Sequence, residues 1–179
     1  MNLDLILGIL QIVLIATTPL VFAGIGELVT EKSGVLNLGV EGMMLVGAVS
    51  AFIILVITGS YFLAFFVSIL SGIIMSGLFA FLVLFLMSNQ IATGLALTIF
   101  GIGLSSMLGK QYIGTPIDGL SPWFFVIFSF LIVFLVSYFF YKTKAGLILR
   151  AVGESHNSAH ALGYSCLLYT SDAADDHHR

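Results

Sequence analysis

The sequence predicts an all-helical, polytopic membrane protein with about five transmembrane helices, the second of them discontinuous. Three observations carry this. The 179 residues are 59% hydrophobic and 8% charged, whereas a soluble domain carries about 25% charge. Mean hydropathy is +1.14, and the apolar runs reach the roughly 20 residues that a helix needs to cross a bilayer core. One run is entered through a glycine-rich stretch, residues 23–48 (AGIGELVTEKSGVLNLGVEGMMLVGA), that also holds Glu27, Glu31 and Glu41. An ordinary span avoids both features.

Composition excludes several classes. The net charge of −3 offers no basic surface for nucleic acid, and the single cysteine, Cys166, rules out an internal disulfide framework or a cysteine-rich metal site. Asp4 precedes the first apolar run, with no basic segment before it, so the N-terminus reads as a first span and not as a secretory signal.

In chain order the apolar segments are 3–23, with Pro19 near its end, then 35–57, 61–87, 91–108 and 122–141. The expected helices are about 18–27 residues long, with an interruption within 31–42. Thr58-Gly59-Ser60, Ser88-Asn89-Gln90 and the longer 109–121 segment punctuate them. With five spans, Lys32, Lys142, Lys144 and Arg150 share one side, and Lys110 lies on the other with the amino terminus. The excess of basic residues places the C-terminal segment in the cytoplasm and the N-terminus outside. Trp123 and Tyr141 bracket the fifth span, 18 residues and about 27 Å of helix apart, as an aromatic belt requires. In the fourth span Gly101, Ser105 and Gly109 recur every fourth residue, as do Ala92 and Ala96 before them. Such a face suits close helix packing in preference to solute lining.

The glycine-rich stretch holds the candidate pathway residues Asn37, Gly39, Glu41 and Gly42. Gly24, Gly26, Gly34, Gly39, Gly42 and Gly47 disfavour helix in water. In a membrane they permit close backbone approach, or a helix break where protein covers the freed groups. This points to a discontinuous, functional element of a transporter. Asn37 is a good helix N-cap, and Glu41 in a first turn faces the positive end of the helix dipole. Spacing alone leaves open whether they start a helix at the membrane surface or form a half-helix terminus at membrane depth. Glu27 and Glu31, one turn apart, read as a solvated cytoplasmic face in preference to a proton or ion relay.

Residues 1–141 form the membrane region and 142–165 a cytoplasmic segment whose apolar content is unlike a floppy linker. There Gly153-Glu154-Ser155 is expected to start a short helix over 157–162, with Ser155 as its cap. His156 and His160 lie four apart with no third ligand nearby, so no metal is expected. Residues 166–179, beginning Cys166-Leu167-Leu168-Tyr169-Thr170-Ser171, read as translated sequencing adapter, which makes His177 and His178 no metal site and the chain a truncated N-terminal part.

Three blocks, GIGELVTEKSGVLNLGVEGMMLVGA, NQIATGLALTIFGIGLSS and RAVGESHNSAHALG, are very similar to segments of permease subunits of bacterial ABC importers. The resemblance is to the branched-chain amino acid/ribose-type permease superfamily, in its nucleoside and simple-sugar branch. It implies a bacterial inner-membrane subunit that pairs with a second permease subunit. Two cytoplasmic ATP-binding subunits and an extracytoplasmic solute-binding protein complete such importers, and no cofactor is involved. It also implies that 142–165 is a coupling loop, with Arg150, Gly153, Glu154, Asn157, Ala159, Ala161 and Gly163 facing the ATPase. The chain has no GxxxxGK[ST] loop, so it is not expected to be an enzyme itself. The rival readings are an ion-coupled secondary transporter with broken helices, using Glu27 or Glu41, and a non-transporting membrane scaffold.

Overall fold

A computed structural model describes residues 3–154. Helix α1 spans Leu3–Lys32, α2 Val40–Thr58, α3 Tyr61–Ala80, α4 Gln90–Gly109, α5 Pro122–Lys142 and α6 Lys144–Glu154. Helix α3 runs on through a π-helical turn, Phe81–Phe85, and α4 through a 3-10 turn, Lys110–Tyr112. Five of these helices are long and apolar enough to cross a membrane. The adapter-like tail and the expected 157–162 helix lie outside the described residues.

The expected interruption is present, over residues 33–39, but its surroundings differ from the expectation. Helix α1 does not end near Ala23. It continues through Pro19, Gly24 and Gly26 to Lys32, 30 residues in all, beyond the expected length. Each glycine costs about 1 kcal/mol in a helix. A backbone group left unsatisfied in lipid costs several kcal/mol, so the helical hydrogen bonds prevail. At 1.5 Å per residue α1 is about 45 Å long, some 15 Å more than a bilayer core. Asp4 in its first turn and Lys32 in its last complement the helix dipole. Helix α2, from Val40, is itself unbroken; the break precedes it.

The other boundaries follow local chemistry. Gly59, at φ 66°, closes α2 in the left-handed conformation that glycine adopts without strain, and its N–H donates to Leu55 O at 2.8 Å. Ser60 then caps α3. Asn89 caps α4 through a bond from Ala92 N, 3.0 Å. Pro122 occupies the first turn of α5, where its missing N–H leaves nothing unpaired.

Helix α2 packs on both α3 and α4, and Val46, Met75, Phe79, Val83 and Leu97 form the core between them. Helix α1 packs on α5, with the Phe22 and Phe128 rings 6.0 Å apart. The α2–α4 seam is built on glycine. A Cβ on Gly42 would lie 2.7 Å from both Leu97 O and Thr98 Cα, and one on Gly101 would lie 2.5 Å from Gly42 O. Gly94 meets the backbone of Leu38 and Gly39 in the same way. The packing face of α4 is therefore Gly94, Leu97 and Gly101. Of the expected small-residue series, Gly101 is central to it and Gly109 also faces α2, where a Cβ would lie 3.3 Å from Val49 Cγ2, whereas Ala92 and Ala96 are exposed. Lipid provides no hydrophobic drive for helices to associate, so close backbone contact supplies the attraction.

Gly42→Val should lower the thermal unfolding midpoint of the detergent-purified protein, because rigid backbone faces the added carbons; overpacking of this kind costs about 1–3 kcal/mol. Gly103→Ala, with open space around it, should leave the midpoint unchanged or raise it.

Candidate functional site

Polar side chains from two helices, α1 and α4, and from the segment itself converge on the break. Where the chain leaves α1, Ser33 N and Val35 N donate to Thr30 O at 3.0 and 3.1 Å, and Gly34 N donates to Glu31 O at 3.0 Å. Gly34 turns the chain at φ 87°, a conformation that costs glycine little. Beyond the turn the partners come from side chains. Leu36 N donates to Gln90 Oε1 of α4 at 2.9 Å, and Asn37 N to Glu27 Oε1 of α1 at 3.1 Å. Gly39 N donates to Asn37 Oδ1 at 2.9 Å, and Leu38 O accepts from Thr98 Oγ1 of α4 at 2.8 Å. Thr30 Oγ1 donates to Glu27 O at 2.9 Å and to Glu27 Oε2 at 3.3 Å, which steadies the carboxylate. Among the described residues no buried side-chain nitrogen or oxygen lacks a partner.

The break reaches membrane depth. Thr98 lies eight residues into α4 from Gln90, about 12 Å along the axis, and it holds the carbonyl of Leu38. Irregular backbone at that depth is stable only where protein satisfies it, and Glu27, Gln90, Asn37 and Thr98 do so here.

Each candidate residue now has a place. Asn37 is buried, Gly39 and Gly42 are buried against α4, and Glu41 is exposed in the first turn of α2. Asn37 is not the helix cap; Gly39 holds that position without a side-chain bond, and Asn37 braces the Gly39 N–H from two residues upstream. The solvated-face reading of Glu27 is also overturned. Its side chain is half-buried and ties the Asn37 backbone to α1, whereas Glu31, one turn later, is exposed as expected. Gln90 and Thr98 went unnoticed in the sequence. Their signal was the face they share with Gly94 and Gly101, at intervals of four, four and three residues.

Of the coupling candidates, Arg150, Gly153 and Glu154 lie in α6; Asn157, Ala159, Ala161 and Gly163 lie outside the described residues. A helix over 144–154 was not expected, although its apolar residues Leu149 and Val152 alternate with Lys144, Arg150 and Glu154. Arg150 Nη2 pairs with Glu154 Oε1 at 3.8 Å, and its guanidinium sits 5.1 Å over the Tyr141 ring at the end of α5. Away from the break, a cavity of about 790 Å³ opens between α1, α2, α3 and α5. Phe22, Phe52, Phe65, Phe125 and Phe128 line it, with Tyr61, whose hydroxyl donates to the Asp118 carbonyl. Among the described residues no three His, Cys, Asp or Glu side chains converge as a metal site.

These features define a multi-pass helical membrane protein with a protein-satisfied break at membrane depth. Residues 9–171 match the family described as branched-chain amino acid transport system / permease component, and the chain belongs to that family of transport permeases. It is 37% identical to TsgC13 of Haloferax volcanii, a provisionally named glucose ABC transporter permease protein, over 87% of this chain and 54% of that protein. It is 28% identical to the nucleoside ABC transporter permease protein NupC of Lactococcus lactis, over 87% of this chain and 59% of that one. Against the guanosine ABC transporter permease protein NupQ of Bacillus subtilis the identity is 24%, over 88% and 60%. The chain thus spans somewhat more than half the length of these relatives. No solved structure matches it significantly.

Glu27→Ala should destabilise the purified protein by about 1–3 kcal/mol, the usual cost of stranding a buried donor, here the Asn37 N–H. Glu27→Gln keeps an acceptor oxygen and should cost less. The same pair tests the ion-relay reading in the complete transporter: a structural Glu27 predicts that the Gln variant retains uptake with an unchanged pH profile.

Proposed function

We propose that this chain is the membrane-spanning permease subunit, or a part of it, of an ABC importer for a sugar or nucleoside. Family membership across residues 9–171 carries this reading, and the names of the three relatives, all ABC permease proteins for such solutes, support it. A second permease subunit completes the pathway, two cytoplasmic ATP-binding subunits drive it, and an extracytoplasmic binding protein delivers the solute. The N-terminus lies outside and the 142–165 segment in the cytoplasm, where Arg150, Gly153, Glu154, Asn157, Ala159, Ala161 and Gly163 serve coupling to the ATPase. The basic residues Lys32, Lys142, Lys144 and Arg150 on that side support the orientation.

The pathway runs beside the break, past Asn37, Gly39, Glu41 and Gly42. Asn37, Gly39 and Gly42 shape the backbone there. Glu41, exposed at the positive end of the α2 dipole, is the ionisable side chain a polar solute meets.

In cells producing the complete permease, uptake should require the partner ATPase and persist when an uncoupler abolishes the proton gradient. Collapse of uptake with the gradient, at normal ATP, would sink the importer reading. Glu41→Ala should reduce uptake severalfold at unchanged membrane abundance; uptake equal to wild type would leave Glu41 a helix-end residue only.

A further inference from the structure

We propose that Gly153 is a positioning residue for transport: it seats α6 directly on the turn that opens the break, so that α6 and the 33–39 segment move as one body. This rests on the importer reading, and it names the contact by which a cytoplasmic event reaches the pathway.

Two glycines, two helical turns apart on one face of α6, make its seats. A Cβ on Gly146 would overlap Phe139 O and come within 2.8 Å of Phe140 Cα, at the end of α5. A Cβ on Gly153 would overlap Lys32 O and lie 3.0 Å from Gly34 N, at the end of α1. The atoms faced are backbone in both cases, so neither seat adapts by rotating a side chain. The α5 end is further fixed by Arg150 over Tyr141.

The second seat is the informative one. Lys32 closes α1, and Gly34, at φ 87°, turns the chain into the break. From there the links are short and continuous. Leu36 N is held by Gln90, Asn37 N by Glu27, and Leu38 O by Thr98. Gly39 then starts α2, whose Gly42 abuts Gly101 of α4. A displacement of α6 is thereby applied to the one irregular stretch between α1 and α2, through contacts too tight to slide. Close-packed contacts of this kind carry coupling when the element they move has two arrangements; we assign that role to the break, whose hydrogen bonds are divided between α1 and α4.

The test is Gly153→Ala in the complete permease, assembled with its ATPase and binding protein in liposomes. The added methyl must push α6 off the turn. The expected result is a fully assembled complex that hydrolyses ATP while importing severalfold less solute per ATP than wild type. A merely structural role would lower both activities together, by lowering the amount of complex, and so leave that ratio unchanged; an unchanged ratio overturns the proposal. If the variant does not assemble, spin labels on the exposed positions Lys32→Cys and Glu154→Cys decide. Their separation should stay constant between nucleotide-free and ATP-bound states, while the separation of Glu31→Cys from Asn89→Cys changes. A 32–154 separation that alters with nucleotide overturns the proposal. Absence of ATP-driven uptake by the wild-type assembly is a different result, and it removes the importer reading itself.

Discussion

The structure depends on one requirement: backbone that leaves the helix at membrane depth must find its hydrogen bonds within the protein. Water serves this purpose at a surface loop, and in hydrocarbon nothing does. Residues 33–39 meet the requirement with borrowed side chains. Glu27 comes from α1, Gln90 and Thr98 from α4, and Asn37 from the segment itself. Three of the four are uncharged. The single carboxylate is held by a backbone N–H and a hydroxyl, so its desolvation is offset by direct donors.

The placement of these side chains fixes the packing around them. Gln90 and Thr98 reach the break only if α4 lies against α2 at backbone distance, and glycine at 39, 42, 94 and 101 is what permits that distance. A methyl group at 42 or 101 would separate the helices and carry Thr98 away from Leu38. The polar clamp and the glycine seam are therefore one device, each needing the other. Helices α1 and α5 meet by a different route, through phenylalanine rings such as Phe22 and Phe128. The break is where the two packing arrangements join.

This arrangement suits transport. A span interrupted at membrane depth presents helix-end dipoles and polar groups where a continuous helix presents only side chains. The amphipathic α6 lies against the turn that opens the break, joined to the ends of α5 and α1 by glycine contacts.

Much of this was legible in the sequence. The class, the number of spans, the polar punctuation at 58–60 and 88–90, and an interruption within 31–42 follow from local chemistry: apolar run length, short polar breaks between the runs, and glycine beside polar residues. These signals act between residues close in the chain, and a one-dimensional reading contains them. The C-terminal end of α1, the role of Glu27 and the part of Gly94 in the packing face of α4 were not legible. Glu27 looked like a surface residue because its partner, the Asn37 N–H, is ten positions away and donates only because the chain turns back at Gly34. Thr98 and Leu38 are sixty positions apart. Ala92 and Ala96 matched a packing pattern as well as Gly94 and Gly101 did, and only the position of α2 chose between them. Sequence determined which groups would need partners; the tertiary fold decided which partners they found, because a hydrogen bond is set by distance in space and not by distance along the chain.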